Sequence, residues 1–196
     1  TTTQIKVMST AQVAAISPMQ IDALTVTQLA AMTSAQIAAF DIYDTTQLTQ
    51  TQLASLTSTQ LRAFSPTEIG ILSNDQMQAL TSLQLSGLTQ TQIMGYLSVN
   101  SVTGATTMVG GLTTAQMAAL TDTQIEGFSP NQILYLSTTQ FTALSNTALG
   151  ALNTQQIKAL TVSDLDALDT SQVAAFTTSQ LAAMSTVQYS ALHFAT

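Results

Sequence analysis

The sequence predicts an all-α solenoid of very short capped helices, with one helix in each eight-residue repeat. Three observations lead to this fold. A large apolar residue recurs at eight-residue spacing between Met8 and Leu192, a Ser, Thr, Asn or Asp follows it in nearly every repeat, and all three prolines stand one residue further on. Because those four residue types are preferred helix N-caps and Pro is preferred at the first helical position, each repeat starts a new helix.

The eight positions of the repeat are counted from its large apolar residue, so Met8 holds position one. Position five is Gln in most repeats and Glu68 in one, which matches a capping box, and the apolar residues at positions one and six form a hydrophobic staple. Position eight is almost always Ala or Gly, which predicts close approach of neighbouring backbones. Charged residues avoid positions one, six and eight, so these positions are predicted to face inward and position seven to face solvent.

A continuous helix and a β-strand are both excluded by this period. Eight residues at about 100° each overshoot two helical turns by roughly 80°, so the apolar stripe would wind around every face. In a strand, positions one and six would point to opposite sides. The short helices must be stabilised by stacking, because isolated helices below about 12 residues are marginal in water.

The number of repeats in one coil of the solenoid is left open by the sequence. Packed helices need about 8 to 10 Å between their axes, so three short helices would enclose a very small interior. The three Ser-Pro repeats are separated by six and eight repeats, which are both even numbers. These two observations favour an even number, such as two or four.

One solenoid domain is predicted over residues 1–196, with regular repeats interrupted by two irregular insertions that keep the count of eight. The regular repeats occupy 1–39, 48–95 and 112–192, and the insertions occupy 40–47 and 96–111.

The first insertion, FDIYDTTQ, lacks the apolar residue at position six. Its carboxylates Asp41 and Asp44 could offer oxygen ligands to Ca²⁺. Alternatively, the insertion is a corner or loop in which the two Asp residues cap backbone N–H groups. The second interpretation is favoured, because two carboxylates without a glycine-bearing loop of alternating ligands make a weak calcium site.

The second insertion, YLSVNSVTGATTMVGG, is rich in β-branched residues and glycine. Its turn chemistry at Asn100-Ser101 and Thr103-Gly104 is typical of a protruding hairpin. Such a hairpin could recognise a partner or a neighbouring subunit. A flexible excursion between two rigid halves fits the same composition, and both interpretations stay open.

The composition argues against several classes of partner. Only 7% of the residues are charged, against about 25% in ordinary globular proteins, and the formal net charge is −7. The basic residues Lys6, Arg62 and Lys158 are too few and too scattered to bind a nucleic-acid backbone. No apolar run approaches the roughly 18 residues needed to cross a bilayer, so neither nucleic acid nor membrane insertion is expected.

The sequence also predicts no catalytic, cofactor-binding or metal-binding residues, and hence no enzyme. The chain has no Cys, and its single histidine, His193, stands outside the regular repeat array, where a catalytic base would need a partnered nucleophile and an orienting carboxylate. The serines are explained as helix caps. Tyr43, Tyr96, Tyr135 and Tyr189 are predicted to be mostly core or corner residues.

The phrase LTSTQLRA follows the pattern L-[ST]-x-x-Q-[ILV]-x-A, and LTTAQMAA differs from it only by Met at the sixth position. This pattern resembles octapeptide repeat tracts of large bacterial secreted or surface proteins, and the resemblance covers nearly the whole chain outside the two insertions. It implies a bacterial, exported, structural context, and it carries no functional residues to transfer.

Three functions are compatible with these observations. The leading hypothesis is a non-enzymatic structural subunit that self-assembles head to tail into an extracellular filament or surface layer, because neither end shows a polar capping repeat and the low charge offers little repulsion between copies. The alternative is a stalk or ligand-binding segment of a large bacterial adhesin with a cell-surface or matrix partner. Ice binding is the third, because Thr recurs at positions two to four.

Overall fold

A computed structural model describes the backbone of residues 1–102 and 111–193 and the side chains of residues 1–97 and 111–193. Throughout this part of the chain the regular elements are short α-helices and no strand is present, which confirms the predicted short-helix solenoid. In chain order the helices are α1 Thr2–Val7, α2 Thr10–Ala14, α3 Pro18–Asp22, α4 Val26–Ala30, α5 Ser34–Ile37, α6 Ile42–Gln47, α7 Gln50–Ser55, α8 Ser58–Leu61, α9 Pro66–Gly70, α10 Asn74–Gln78, α11 Ser82–Ser86, α12 Gln90–Val102, α13 Thr114–Ala118, α14 Asp122–Glu126, α15 Pro130–Leu134, α16 Thr138–Thr142, α17 Asn146–Ala151, α18 Thr154–Ala159, α19 Val162–Asp166, α20 Thr170–Val173, α21 Thr178–Ala183 and α22 Thr186–Ser190.

Each helix starts where the repeat places a capping residue. In α7, the hydroxyl of Thr49 accepts from the backbone N–H of Gln52 at 3.2 Å, and the side-chain Oε1 of Gln52 accepts from the N–H of Thr49 at 2.7 Å. The helix then ends after about one and a half turns, where Leu56 at position one of the next repeat donates its N–H to the carbonyl of Leu53 at 3.2 Å. The predicted capping box is therefore confirmed.

Successive coils stack with three repeats in each coil. Helices pack mainly on the third helix further along the chain, as α4 does on α7 in the first part of the chain and α15 on α18 in the second. The expectation of an even number was therefore wrong. The helices that pack on each other belong to successive coils, so a required spacing between packed helices does not exclude three repeats in one coil.

The chain divides into two compact units, Thr1–Val99 and Asn100–Thr196. Each unit has its own core, built from the apolar residues at positions one and six of its repeats. Ile69 at position six and Leu72 at position one are examples from the first unit, with 0% and 3% of their surface exposed. The single domain expected from the sequence stays a prediction.

The predicted inward and outward positions hold with one correction. Positions one and six are buried in most repeats, and position seven is mostly exposed, as at Arg62 and Lys158. Position eight is mostly half-buried or exposed, so its assignment to the interior was wrong. The glycine at this position in α12, Gly95, lies against the backbone of Pro66 in α9, which shows that position eight serves contact between coils instead of filling the core.

The first insertion is not irregular, which corrects the prediction of a corner or loop. Residues 42–47 form α6, which is capped by Asp41 like any other repeat. Thr45 occupies position six, where it is 1% exposed and its hydroxyl donates to the carbonyl of Asp41 at 2.9 Å. A β-branched side chain whose hydroxyl is satisfied by its own helix can thus replace the aliphatic residue.

The second insertion begins as a helix, which also differs from the prediction. Helix α12 runs through Asn100-Ser101, where a turn was expected. At position two of that repeat Leu97 replaces the usual capping residue and is fully buried, so no side chain stops the preceding helix. The predicted turn at Thr103-Gly104 lies outside the described residues.

Candidate functional site: a glutamine ladder between coils

The glutamine at position five binds two coils at once. In α11, Oε1 of Gln84 accepts from the backbone N–H of Thr81 at 2.8 Å and completes the capping box. Its Nε2 donates to carbonyls near the end of α7, those of Leu53 at 3.0 Å, Ala54 at 3.3 Å and Leu56 at 2.6 Å. The side chain is 4% exposed. One amide therefore joins the start of a helix to the end of a helix in the preceding coil.

The same bridge recurs in both units with constant spacing. The acceptors are the carbonyls 31 and 28 residues earlier in the chain, which belong to positions six and one. We call this set of bridges the glutamine ladder, and the glutamines with both acceptors are Gln36, Gln52, Gln60, Gln84, Gln92, Gln156, Gln180 and Gln188.

The glutamine ladder supplies hydrogen-bond donors to backbone carbonyls at the ends of the short helices. The last carbonyls of a helix have no partner within that helix, and in helices of four to six residues they are a large share of the backbone. Leaving such groups buried without a partner costs about 1 to 3 kcal/mol each. Among the described residues, no buried side-chain nitrogen or oxygen lacks a hydrogen bond.

The sequence contained a signal for the ladder that the capping interpretation did not use. Capping requires only an acceptor oxygen at position five, which Glu supplies as well as Gln. Glu68 shows this, because its carboxylate accepts from the N–H of Ser65. The strong preference for Gln therefore indicates that the second half of the amide, Nε2, has an acceptor of its own.

Four repeats whose position-five side chain is described lack glutamine there, and they carry Asp44, Glu68, Ala148 and Asp164. Asp164 is supplied with a different donor between coils, because the hydroxyl of Thr138 in α16 donates to its Oδ1 at 2.9 Å. Ala148 is fully buried and has no side-chain hydrogen-bonding group. None of these residues can donate as an amide does at neutral pH.

Asp44 and Glu68 form what we call the acid joint, since their helices α6 and α9 pack on each other. Burial raises the pKa of the Asp44 carboxyl, the hydrogen bond from the backbone N–H of Asp41 lowers it, and the negative charges of Asp41 and Glu68 raise it further. The joint thus concentrates negative charge where other repeats place a neutral amide.

The carboxylates considered for calcium act as helix caps. Oδ1 of Asp41 accepts from the N–H groups of Tyr43 at 2.8 Å and Asp44 at 2.9 Å, and Oδ2 of Asp44 accepts from the N–H of Asp41 at 3.1 Å. The capping interpretation is confirmed. Within the described ranges, no group of three or more His, Cys, Asp or Glu side chains is placed to hold a metal ion.

The structure also places the four tyrosines and the histidine that the sequence analysis considered. Tyr96 is a core residue, and its hydroxyl donates to Oδ1 of Asn74 at 2.8 Å, while burial raises its pKa to about 12. The other three tyrosines expose roughly half of their surface or more, so the core assignment holds for Tyr96 alone. His193 lies on the exposed surface, with Nε2 2.8 Å from Oδ1 of Asp166.

An open cleft of about 580 Å³ lies along the first helices of the second unit. Its described lining combines apolar side chains with hydroxyls and contains no acidic, basic or histidine residue. The lining residues are Leu112, Thr113, Thr114, Leu134, Tyr135, Leu136, Ser137, Thr139 and Gln140. Of the helices that are described, none is both long enough and apolar enough to cross a membrane.

Comparison with known proteins identifies a repeat tract. Residues 162–193 match the ALTTAQ repeat family. This segment contains helices α19 to α22 of the second unit, including the ladder residues Gln180 and Gln188. None of the curated proteins compared with the chain matches it. The resemblance to bacterial surface proteins stays a prediction.

Proposed function

We propose that this chain is a non-enzymatic structural subunit that self-assembles head to tail into an extracellular filament or surface layer. The observation that carries the proposal is that coils stack on one another through apolar side chains at positions one and six, as at Phe64 and Ile69, which are 3% and 0% exposed. The same kind of contact between copies would join molecules into a longer stack.

The repetitive interface between coils supports the same proposal. Because the ladder keeps its spacing of 28 and 31 residues from coil to coil, the surface that one coil offers to the next is nearly constant. When two different surfaces of the same molecule bind each other, the rotation between neighbouring copies either closes into a ring or does not close. If it does not close, the assembly grows into a filament. Only 7% of the residues are charged, so repulsion between copies is small.

The alternative function, a stalk or ligand-binding segment of an adhesin, is favoured by exposed apolar side chains on the flank of the first unit. Met19 on α3 is 81% exposed and Tyr43 on α6 is 66% exposed, and these two helices pack on each other. Exposed apolar groups on neighbouring helices are typical of contact surfaces. In this function they would bind a cell-surface or matrix partner, and the chain would remain monomeric.

Electron microscopy of the negatively stained protein, together with sedimentation velocity over a series of concentrations, separates the two functions. The proposed subunit forms filaments or sheets, and its sedimenting mass rises above the 20.6 kDa of one chain as the concentration increases. Circular dichroism serves as the control that the helices are formed. Discrete particles of one chain at every concentration would reject self-assembly and favour the adhesin segment.

A further inference from the structure

One side of the first unit combines exposed apolar side chains with negative charge. We infer that this side binds a basic segment of another protein, in which Lys or Arg residues stand next to aliphatic side chains. The inference gives the chemistry of the partner that the alternative function leaves open, and it does not depend on self-assembly.

This side of the first unit is formed by helices α3, α6 and α9. Because three repeats complete a coil, repeats 24 residues apart stack on one another, and α6 packs on both α3 and α9. The three repeats occupy 16–23, 40–47 and 64–71. We call their outer surface the acidic flank.

The acidic flank exposes apolar groups at positions three and four of its repeats. Met19 on α3 and Ile42 and Tyr43 on α6 are all exposed large apolar residues. Met19 and Tyr43 hold the same position in successive coils, so their side chains leave neighbouring helices at the same point. The three residues therefore form an apolar row that a partner can cover.

The exposure of the apolar row does not come from an uncovered coil. Tyr43 has a coil on each side, because α6 packs on α3 before it and on α9 after it. Thr67 holds the same position on α9 and is also exposed, although Gly95 of the next coil lies against the neighbouring Pro66. Position four thus faces outward where coils are stacked on both sides, and further coils at either end would leave the row free.

Negative charge is concentrated on the same side of the unit. Within residues 1–97, every acidic residue except Asp75 belongs to the three repeats of the acidic flank, and these repeats contain no Lys, Arg or His. Asp22 follows Met19 by three residues, a spacing that places two side chains on one helix face, and Asp41 directly precedes Ile42. Both aspartates are exposed, so the apolar row is bordered by carboxylates.

This combination selects a partner that is both basic and apolar. Lys and Arg carry a cationic group on an aliphatic stem, so they can cover the apolar row and place their charge beside Asp22 or Asp41. A cation can also lie on the exposed ring of Tyr43. A second copy of the chain does not supply such a segment, because its three basic residues stand in separate repeats. An anionic membrane surface would be repelled by the same carboxylates.

The test measures binding of a dye-labelled synthetic peptide of Leu and Lys to the full chain by fluorescence anisotropy. A peptide of the same length with Glu in place of Lys is the control for charge. Two double variants alter the acidic flank. Met19→Ser with Tyr43→Ser removes most of the apolar row, and Asp22→Asn with Asp41→Asn removes the exposed charges while Asn still caps α6.

Matched control variants alter the other sides of the same unit. Leu83→Ser removes an exposed apolar side chain at position four, and Asp75→Asn removes an exposed charge at position four. Neither residue belongs to the three repeats of the acidic flank. Circular dichroism and thermal unfolding verify that all variants fold.

We expect the Leu–Lys peptide to bind the unaltered chain and the Leu–Glu peptide not to bind. The dissociation constant should rise about tenfold in the Met19 and Tyr43 variant, because apolar contact area is lost. It should rise about fivefold at about 50 mM salt in the Asp22 and Asp41 variant, and this difference should shrink at about 500 mM salt, which screens surface charges. The two control variants should stay within about twofold of the unaltered chain.

The inference is wrong if the Leu–Lys peptide does not bind, if both flank variants bind it like the unaltered chain, or if the control variants are impaired to the same extent. Equal binding of the Leu–Glu peptide likewise rejects a basic partner. Sedimentation velocity of the unaltered chain tests self-assembly separately. A chain that assembles but binds no peptide leaves the proposed assembly standing and rejects the acidic flank, whereas a monomeric chain that binds the peptide through the flank does the reverse.

Discussion

Two joints between coils of the first unit differ in one chemical group. At Gln84, the oxygen of the amide caps its own helix and the nitrogen binds the preceding coil. At Glu68, the carboxylate caps its helix in the same way, but at neutral pH it has no hydrogen to donate. In glutamine, Oε1 therefore caps the start of the helix and Nε2 binds the preceding coil. A substitution by glutamate keeps the first contact and removes the second.

Repeats without the glutamine amide differ in whether another side chain supplies the missing donor between coils. At Asp164, the hydroxyl of Thr138 supplies the missing donor between coils. At the acid joint, Asp44 lies beside the charges of Asp41 and Glu68, which raise its pKa in addition to burial. The acid joint is thus the place in the first unit where the standard contact is most altered.

The largest effect is expected from removing a regular ladder residue. Gln84→Ala deletes the cap acceptor for Thr81 and both donors to Leu53 and Leu56, so the free energy of unfolding should fall by about 2 to 4 kcal/mol at about 1 kcal/mol for each hydrogen bond plus the burial of unpaired carbonyls. Urea unfolding followed by circular dichroism measures the loss. The control Gln78→Ala, at an exposed position, should change stability by less than about 0.5 kcal/mol. Equal losses in both variants would contradict the ladder.

A smaller effect is expected from crowding the helix that carries Glu68. A Cβ added at Gly95 would lie 2.2 Å from the carbonyl oxygen of Pro66, so the backbone of α9 must shift. Gly95→Ala should lower stability by about 1 to 3 kcal/mol. Gly150→Ala is the comparison, because its Cβ would lie 3.3 Å from the nearest atom, the carbonyl oxygen of Ala175. The gain in helix propensity of about 1 kcal/mol should then leave Gly150→Ala neutral or stabilised in thermal unfolding.

The acid joint should also make stability depend on pH. The pKa of the Asp44 carboxyl is higher in the folded chain than its ordinary value of 3.8, so the folded state holds this proton to a higher pH than the unfolded state does. Its contribution to stability is therefore complete below its ordinary pKa and is lost as the pH rises through the raised value. Urea unfolding of the unaltered chain and of Asp44→Asn, at several pH values between about 4 and 7, measures this difference.

The expected result is a difference between the two proteins that shifts in favour of the variant as the pH rises, because asparagine keeps an acceptor for the Asp41 N–H and carries no charge. Glu68→Gln serves as the matched variant. It removes one of the charges acting on Asp44 and adds an amide donor, so it should reduce the pH dependence and stabilise the chain by about 1 kcal/mol at pH 7. A pH-independent difference for Asp44→Asn would show that the joint is not electrostatic.

Local signals were enough to locate most of the helices. Thr49 and Gln52 form a capping box because the two side chains and two N–H groups lie within one turn, so no distant residue is needed. The same reasoning failed at 40–47, where Thr45 was not recognised as a replacement for an aliphatic residue. It failed again at α12, where the missing cap at Leu97 lets the helix continue instead of opening into a turn.

The sequence by itself determined where most of the helices begin, because capping is a contact between residues three positions apart. It also determined that the apolar residues at positions one and six line the core, because that follows from the period of eight. Only the tertiary structure decided that three repeats complete a coil and that the glutamine amide binds carbonyls 28 and 31 residues earlier. Those contacts depend on how one coil lies on the next, which is a geometric result of stacking that no pattern within a single repeat contains.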